Sequence, residues 1–372
     1  MSLMPYRFIL FIGTVQTILF LAHWFLYKTL VRFIVHSNPA ILLSLKVILG
    51  LLSISLVSVS FLAFRYSNIW VRFFYTATVS WLGILYFLVL VACLSWLTYG
   101  CARLFHFSLD QRLLTEILIG VAILASLYGV INSGMIRVTR VNLELPHLPP
   151  PWRGKTAVWV SDIHLGQVRN YKFARHIATM VQNLHPDILF IGGDLYDGVA
   201  GDLDKMIEPF SRIHTPQGAY FITGNHEEFS DNTRYLQAIR NAGIRVLENE
   251  MIHLDGLQII GVDYRDSRSE QGLRMILQQM GIDRNKPSIL LKHAPLNLQV
   301  ANEEGISLQL SGHTHQGQIL LFRFITSRVY HGYDYGLKRF GDLLVYTSSG
   351  AGTWGPPMRV DTIPEIVVIT FQ

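Results

Sequence analysis

Apolar and polar residues alternate in two different ways along this chain, and the change falls near residue 140. Before it, four long stretches, 8–27, 41–64, 74–97 and 116–136, are nearly free of charged side chains. Each holds roughly 20 residues, enough for an α-helix to cross a hydrocarbon layer of about 30 Å. The pattern predicts four transmembrane helices within residues 1–140. The proline-rich "LPHLPPPW" (Leu145–Trp152) cannot continue a helix, so residues 141–154 read as a linker.

Beyond it, charges recur every few residues and the apolar runs shrink to strand length. They are "TAVWVSD" (156–162), "DILFIGGD" (187–194), "GAYFITGNH" (218–226), "LQIIGVD" (257–263), "SILLKHA" (288–294), "ISLQLSGHTH" (306–315) and "LLVYTSSG" (343–350). Several are continuously apolar, as strands buried on both faces are. Helical patterns lie between the early ones, at 171–184 and 233–243. Residues 155–372 therefore predict one α/β domain whose sheets are covered by helices, long enough to bury its own core.

Charge sharpens this division. Residues 1–150 hold ten Lys/Arg and three Asp/Glu, a net of +7, whereas 151–372 hold 21 and 23, a net of −2. The basic excess belongs to the flanks of the apolar stretches, and the second part lacks the basic surface that nucleic-acid binding needs. Four spans place both ends of the chain on one side. That side carries Arg7, Arg65, Arg72, Arg137, Arg140, Arg153 and Lys155, against Lys28, Arg32, Lys46, Arg103 and Arg112 on the other. The positive-inside rule then predicts a multi-pass membrane protein with its α/β domain in the cytoplasm. The first stretch is long for the apolar part of a signal peptide, and no small-residue cleavage site follows it. Both cysteines, Cys93 and Cys101, lie in the third stretch, which excludes disulfides and cysteine-ligated zinc from the second part.

The candidate chemistry stands at the ends of the strand runs: Asp162 and His164 after the first, Asp194 after the second, Asn225 and His226 after the third, His293 after the fifth, His313 and His315 after the sixth. Loops at the carboxyl ends of such strands share one edge, where open α/β sheets place their sites. Oxygen and imidazole donors suit Mn, Fe, Zn or Mg. Eight are too many for one tetrahedral ion. They suit two ions sharing a carboxylate, an arrangement that clamps the attacking and leaving oxygens of a phosphoryl transfer.

"SDIHLG", "GGDLYDG", "GNHE", "KHAP" and "SGHTHQGQI" resemble, in order, the D-x-H, G-D-x-x-D, G-N-H-[DE], H and G-H-x-H motifs of the calcineurin-like metallophosphoesterase superfamily. The closing "SSGAGTWGPPMRV" (348–360) resembles a bacterial, often membrane-attached subgroup. The resemblance covers about residues 155–372 and implies a metallophosphoesterase-type β-sandwich flanked by helices (αββα). It implies two divalent ions, manganese favoured. The first would be held by Asp162, His164, Asp194 and His315, and the second by Asp194, Asn225, His293 and His313. His226 would be no ligand but the catalytic donor to the leaving group. Asp197 and Glu227 would orient ligands from behind, although Glu227 and Glu228 also suit a solvated loop. The expected function is hydrolysis of a phosphoester or pyrophosphate in a phosphorylated small molecule or lipid. Some relatives cleave the pyrophosphate of nucleotide-linked acylated glucosamine, so a lipid-linked or nucleotide-linked substrate is one candidate. The expected partners are the bilayer and that substrate, with no nucleic acid.

Other readings compete. The helices could form a transporter or sensor regulated by the second domain, but they nearly lack the ionisable groups that mark transport paths. "GAGTWG" (350–355) matches a dinucleotide fingerprint, yet Pro356 and Pro357 stand where its helix would begin. "YHGYDYG" (330–336) and Trp354 suit an aromatic rim or simple packing. Arg169 suits a phosphate clamp or, more commonly, a solvated helix start. His23, His36 and His106 read as packing or interfacial residues.

Overall fold

The computed structural model describes residues 4–35, 38–198, 201–229 and 231–372; His36 lies outside them. The chain forms two compact units, Met1–Ile131 with Gly355–Met358, and Asn132–Trp354 with Arg359–Gln372.

The first unit is built from α1 (Met4–Phe33), α2 (Pro39–Arg65), α3 (Ile69–Leu104) and α4 (Gln111–Asn132). By length and composition each can cross a membrane, α1 from Ile9 onward. The helices overrun the apolar stretches because their ends are capped by polar groups. Asn38 and Asn68 accept the first free N–H groups of α2 and α3. Asp110 Oδ1 accepts from Leu113 N at 3.0 Å, so α4 starts five residues ahead of the expected 116. Polar side chains inside this unit are paired: Trp81 Nε1 donates to His23 Nε2 at 2.9 Å, and Trp96 Nε1 to Thr29 Oγ1 at 3.0 Å. His23 is thus a packing residue.

The second unit contains β1 (Arg137–Leu143), β2 (Thr156–Val160), α5 (Tyr171–Asn183), β3 (Ile188–Ile191), α6 (Leu203–Ile207), β4 (Ala219–Phe221), α7 (Thr233–Asn241), β5 (Arg245–Val246), β6 (Glu250–Leu254), β7 (Leu257–Gly261), α8 (Glu270–Met280), β8 (Ser288–Leu291), α9 (Leu298–Glu303), β9 (Leu308–Ser311), α10 (Phe322–Val329), β10 (Gly336–Phe340), β11 (Leu343–Thr347) and β12 (Glu365–Phe371). They make two six-stranded sheets, ordered β1-β12-β2-β3-β4-β5 and β10-β11-β9-β8-β7-β6. Within them β2, β3, β4 and β5 run parallel, as do β7, β8, β9 and β11.

Side-chain alternation along the strands divides three cores. Trp159 and Phe190 of one sheet and Ile259, Ile289, Leu291, Leu308 and Leu310 of the other fill the space between the sheets. Their neighbours Val158, Val160, Leu189 and Ile191 turn outward onto Ile177 and Val181 of α5 and Ile239 of α7. Ile260 and Leu290 likewise meet Leu273 and Leu277 of α8. Every strand with two covered faces must be apolar at successive positions, which is why these runs lack alternation. The result is a helix–sheet–sheet–helix stack.

All seven expected strand runs hold strands. The expected linker 141–154 does not behave as one. Arg137–Leu143 pairs in parallel with β12 along its length, and Leu143, Leu145, Leu148 and Trp152 are buried in the inter-sheet core. Trp152 Nε1 also donates to Leu254 O at 2.9 Å. Prolines forbid a continuing helix, but they do not prevent a short irregular segment from packing.

Candidate metal centre

The parallel strands β2, β3, β4, β8 and β9 end on a common edge, and the loop after each brings polar side chains there. The expected residues meet. His164 Nε2 lies 3.0 Å from His315 Nε2, which lies 3.6 Å from Asp162 Oδ1. His293 Nε2 lies 3.3 Å from Asp194 Oδ2 and 3.2 Å from both Asn225 Oδ1 and His313 Nδ1. Asp194 Oδ2 is also 3.8 Å from His164 Nε2, so it stands between the two groups. Three triads have donor atoms within 4.8 Å of one another: Asp162–His164–His315, His164–Asp194–His226 and Asp194–His293–His313. His226 therefore sits with the rest, and proximity alone does not set it apart from them.

The backbone at these residues is unusual. Asp162, His164, Asp194, His313 and His315 have φ of 54°, 53°, 50°, 69° and 48°. This left-handed region costs non-glycine residues about 1–3 kcal/mol each, and such strain concentrates at functional sites. It persists here because the loops tie one another down. Asp162 N donates to Gly193 O and His164 N to Asp194 O, both at 3.0 Å, and Gly312 N donates to His293 O at 2.8 Å. Glycine is required beside the carboxylates: a Cβ at Gly224 would fall on Asp194 Oδ1, and one at Gly312 on Asp162 Oδ2.

The site is water-poor and crowded with acceptors. Asp162, His164, Asp194 and His293 are buried, each at 2% exposure or less. Burial works against a charged Asp194, yet His293, His164 and His226 outweigh it and hold this carboxyl well below the usual carboxylate range. Burial likewise opposes a charged His293, but Asp194 and Asp162 push it up to about 9. Burial, with His293, pushes His313 down to about 3; burial, with His164 and Arg359, lowers His315 well below its ordinary value. These two imidazoles are thus neutral at neutral pH, with lone pairs free for a cation. A set of carboxylate, amide and imidazole donors packed this closely fits divalent cations. His293 Nδ1 faces Gly192 O at 2.7 Å, which holds one proton there; a cation at Nε2 would displace the second proton that Asp194 and Asp162 favour.

Behind these residues stands a supporting row. Asp197 Oδ1 lies 3.4 Å from His164 Nδ1 and 3.6 Å from His226 Nδ1, so one carboxylate addresses both rings. Glu227 is fully buried. It accepts the backbone N–H groups of Asp194 and Gly224 at 2.9 Å and of Tyr196 at 3.0 Å. Glu228 accepts Thr223 Oγ1–H and, at 2.7 Å, Arg265 N–H. Neither glutamate has the solvated role that was an alternative for them. Arg169 is neither a phosphate clamp nor solvated: its Nη2 donates to Ser133 O at 2.9 Å and Ser133 Oγ at 3.0 Å, and its guanidinium lies over Phe173. "GAGTWG" forms a tight loop against the first motif, with Ala351 N on Ser161 O at 2.9 Å and Gly352 N on Asp162 O at 2.8 Å.

Four further residues stand near the site, and two of them, Tyr264 and Phe229, lie outside every stretch singled out above. Arg359 is fully buried, donates to Ser349 O and Gly352 O at 2.7 Å, and reaches His315 Nδ1 at 3.3 Å. Tyr264, three residues beyond β7, places its ring 5.7 Å from His293 and 5.8 Å from His313. Tyr330 faces His313 at 6.2 Å. Phe229 lies 4.6 Å from the His226 ring. Trp354, anticipated as a rim residue, stands 6.4 Å from His226 and is exposed. Tyr330 belongs to the aromatic stretch 330–336 and Arg359 to the closing 348–360, and Tyr264 had a usable signal in its place just past a strand's carboxyl end.

Comparison with known proteins agrees with this geometry. The profile of the calcineurin-like phosphoesterases matches residues 156–317, a span that begins at β2 and ends just past His315. An uncharacterized metallophosphoesterase of Aquifex aeolicus is 31% identical over 68% of this chain and 98% of its own length. One from Campylobacter jejuni is 31% identical over 72% of each chain. A protein of Danio rerio named "transmembrane protein with metallophosphoesterase domain" is 31% identical over 68% of this chain and 62% of its own. Five motifs on five strand ends, a matching profile and near full-length similarity to the Aquifex protein lead to one assignment: this chain belongs to the calcineurin-like metallophosphoesterases.

Proposed function

We propose that the protein is a membrane-anchored phosphoesterase that works with two divalent cations, manganese favoured, and hydrolyses a phosphoester or pyrophosphate bond. The observation that carries this reading is the position of Asp194 between two donor groups: His164, Asp162 and His315 on one side, His293, His313 and Asn225 on the other. Cations held there would supply Lewis-acid charge to phosphoryl oxygens and lower the pKa of water.

The chain's own residues do the rest. Asp162, His164, Asp194, Asn225, His293, His313 and His315 hold and orient the charge. Asp197 Oδ1 faces the Nδ1 atoms of His164 and His226 at 3.4 and 3.6 Å and favours a proton on each. His226 would give its proton to the departing oxygen as the imidazolium, with one N–H on Nδ1 facing Asp197 and the other on Nε2; burial and the nearby His164 lower its pKa, which makes that proton easier to release. Phe229 and Trp354 flank the His226 ring on the exposed side of the site. The four apolar helices anchor the domain, and the charge count of their flanks favours the cytoplasmic face. Substrates that fit an anchored enzyme are lipid-linked phosphates or diphosphates and nucleotide-linked diphosphates.

The test is hydrolysis by purified full-length protein against panels of lipid phosphates and nucleotide diphosphates, after chelation and after reloading with Mn²⁺. Turnover that requires the metal supports the reading. Absence of metal-dependent turnover on every phosphoester and pyrophosphate refutes it.

A further inference from the structure

Helix α10 is built inside out. Thr326 and Ser327, its uncharged polar residues, are half-buried, while Phe324, Ile325 and Val329 stand 66%, 58% and 56% exposed beside the exposed Arg323 and Arg328; no residue of the helix is buried. Leu321, just before it, is also exposed. On a helical wheel Leu321, Phe322, Phe324, Ile325 and Val329 share one face, with Arg328 among them. A surface helix of a water-soluble domain shows the reverse arrangement.

Two further observations identify what covers this face. The second unit as a whole is slightly acidic, but residues 319–341 carry Arg323, Arg328, Lys338 and Arg339 against the single, buried Asp334. Arg323 is paired with Asp361 at 3.4 Å, and the remaining three suit phosphate headgroups. Trp354 is 61% exposed and clamped in place: its N–H donates to Gln318 Oε1 and its carbonyl accepts from Gln318 Nε2, both at 2.9 Å. An exposed indole beside an apolar, cation-bearing helix is the composition of a membrane interface. The chain also supplies the membrane, since α4 ends at Asn132 and β1 begins at Arg137, a connection of at most roughly 15–20 Å.

We propose that α10 and Trp354 form a docking surface that lies in the plane of an anionic lipid bilayer. The helix leaves the loop that carries His313 and His315, and Tyr330 at its other end faces His313. Docking therefore places the mouth of the metal centre at the headgroup layer. The inference stands on exposure and charge, and does not require the centre to be catalytic.

The test uses the full chain with Cys93 and Cys101 replaced by serine, reconstituted in phosphatidylethanolamine–phosphatidylglycerol vesicles. A spin label is placed by Ile325→Cys, and in a control by Met275→Cys on α8, where the native side chain is 52% exposed. Both sites are exposed, so neither change opens a cavity. The label at 325 is expected to be relaxed by oxygen and several-fold less by a water-soluble nickel chelate than the label at 275. Combining it with Arg328→Gln, Lys338→Gln and Arg339→Gln is expected to restore nickel access. Equal nickel access at 325 and 275 overturns the proposal. So does shielding of 325 from both oxygen and nickel, which means that a protein covers the face.

Discussion

Glu227 accepts the backbone N–H of Asp194 at 2.9 Å. This one bond joins the third motif to the second, and the same carboxylate also holds Gly224 and Tyr196. Glu227→Ala leaves three buried donors without a partner, and each such group costs about 1–3 kcal/mol. The expected result is a clearly lower Tm together with reduced metal content, measured by thermal unfolding and elemental analysis. An unchanged Tm would remove Glu227 from the framework of the site.

Asp194→Asn keeps the size of the side chain and removes the charge shared by both donor groups. Loss of a partner that only orients a ligand costs about 10–100-fold in metal affinity or activity. Loss of Asp194 is expected to exceed that, with both metal content and turnover falling. Wild-type turnover in this variant would defeat the shared-carboxylate assignment.

His226→Ala separates proton donation from metal binding. Turnover is expected to fall by about 10²–10⁴-fold, with metal content near that of the wild type. Loss of both metals would instead make His226 a ligand, a role its place in the triad with His164 and Asp194 makes worth testing.

Asp263 gives a pH prediction for stability. Burial, then Glu228, Glu248 and Asp266, push its carboxyl up to about 7. A carboxyl raised in the folded state binds a proton that the unfolded chain releases, so stability is lost as pH rises from the ordinary carboxylate range through about 7. Asp263→Asn removes that loss. The Tm of the variant relative to wild type is expected to be higher near pH 8 than near pH 4. A difference independent of pH would contradict this account.

Much of this was legible in the sequence, for identifiable reasons. The four apolar stretches and the seven strand runs announce themselves through length and continuity, and the candidate ligands through their places at strand ends. What escaped is what packing decides. β1 reads as a membrane flank because Arg137 and Arg140 alternate with Val138 and Val141 on an edge strand. Residues 145–152 read as a linker because prolines signal only where a helix stops. β12 was passed over, although "EIVVITF" has the same apolar continuity as the seven runs. The role of Arg359 was not legible, because a buried charge that serves backbone groups looks like a surface charge in sequence, and for the same reason Glu227 kept a solvated alternative beside its supporting role. The left-handed backbone of Asp162, His164, Asp194, His313 and His315 has only a weak sequence signal, since Asp and His enter this region more often than other non-glycine residues but still seldom.

The central claim is that seven side chains from five loops hold two cations around Asp194. The most direct measurement is anomalous scattering from crystals of the Mn²⁺-loaded protein. The account predicts two peaks about 3.5–4 Å apart, one contacted by Asp162, His164 and His315, the other by Asn225, His293 and His313, with Asp194 on both. A single peak, or none among these residues, would contradict it.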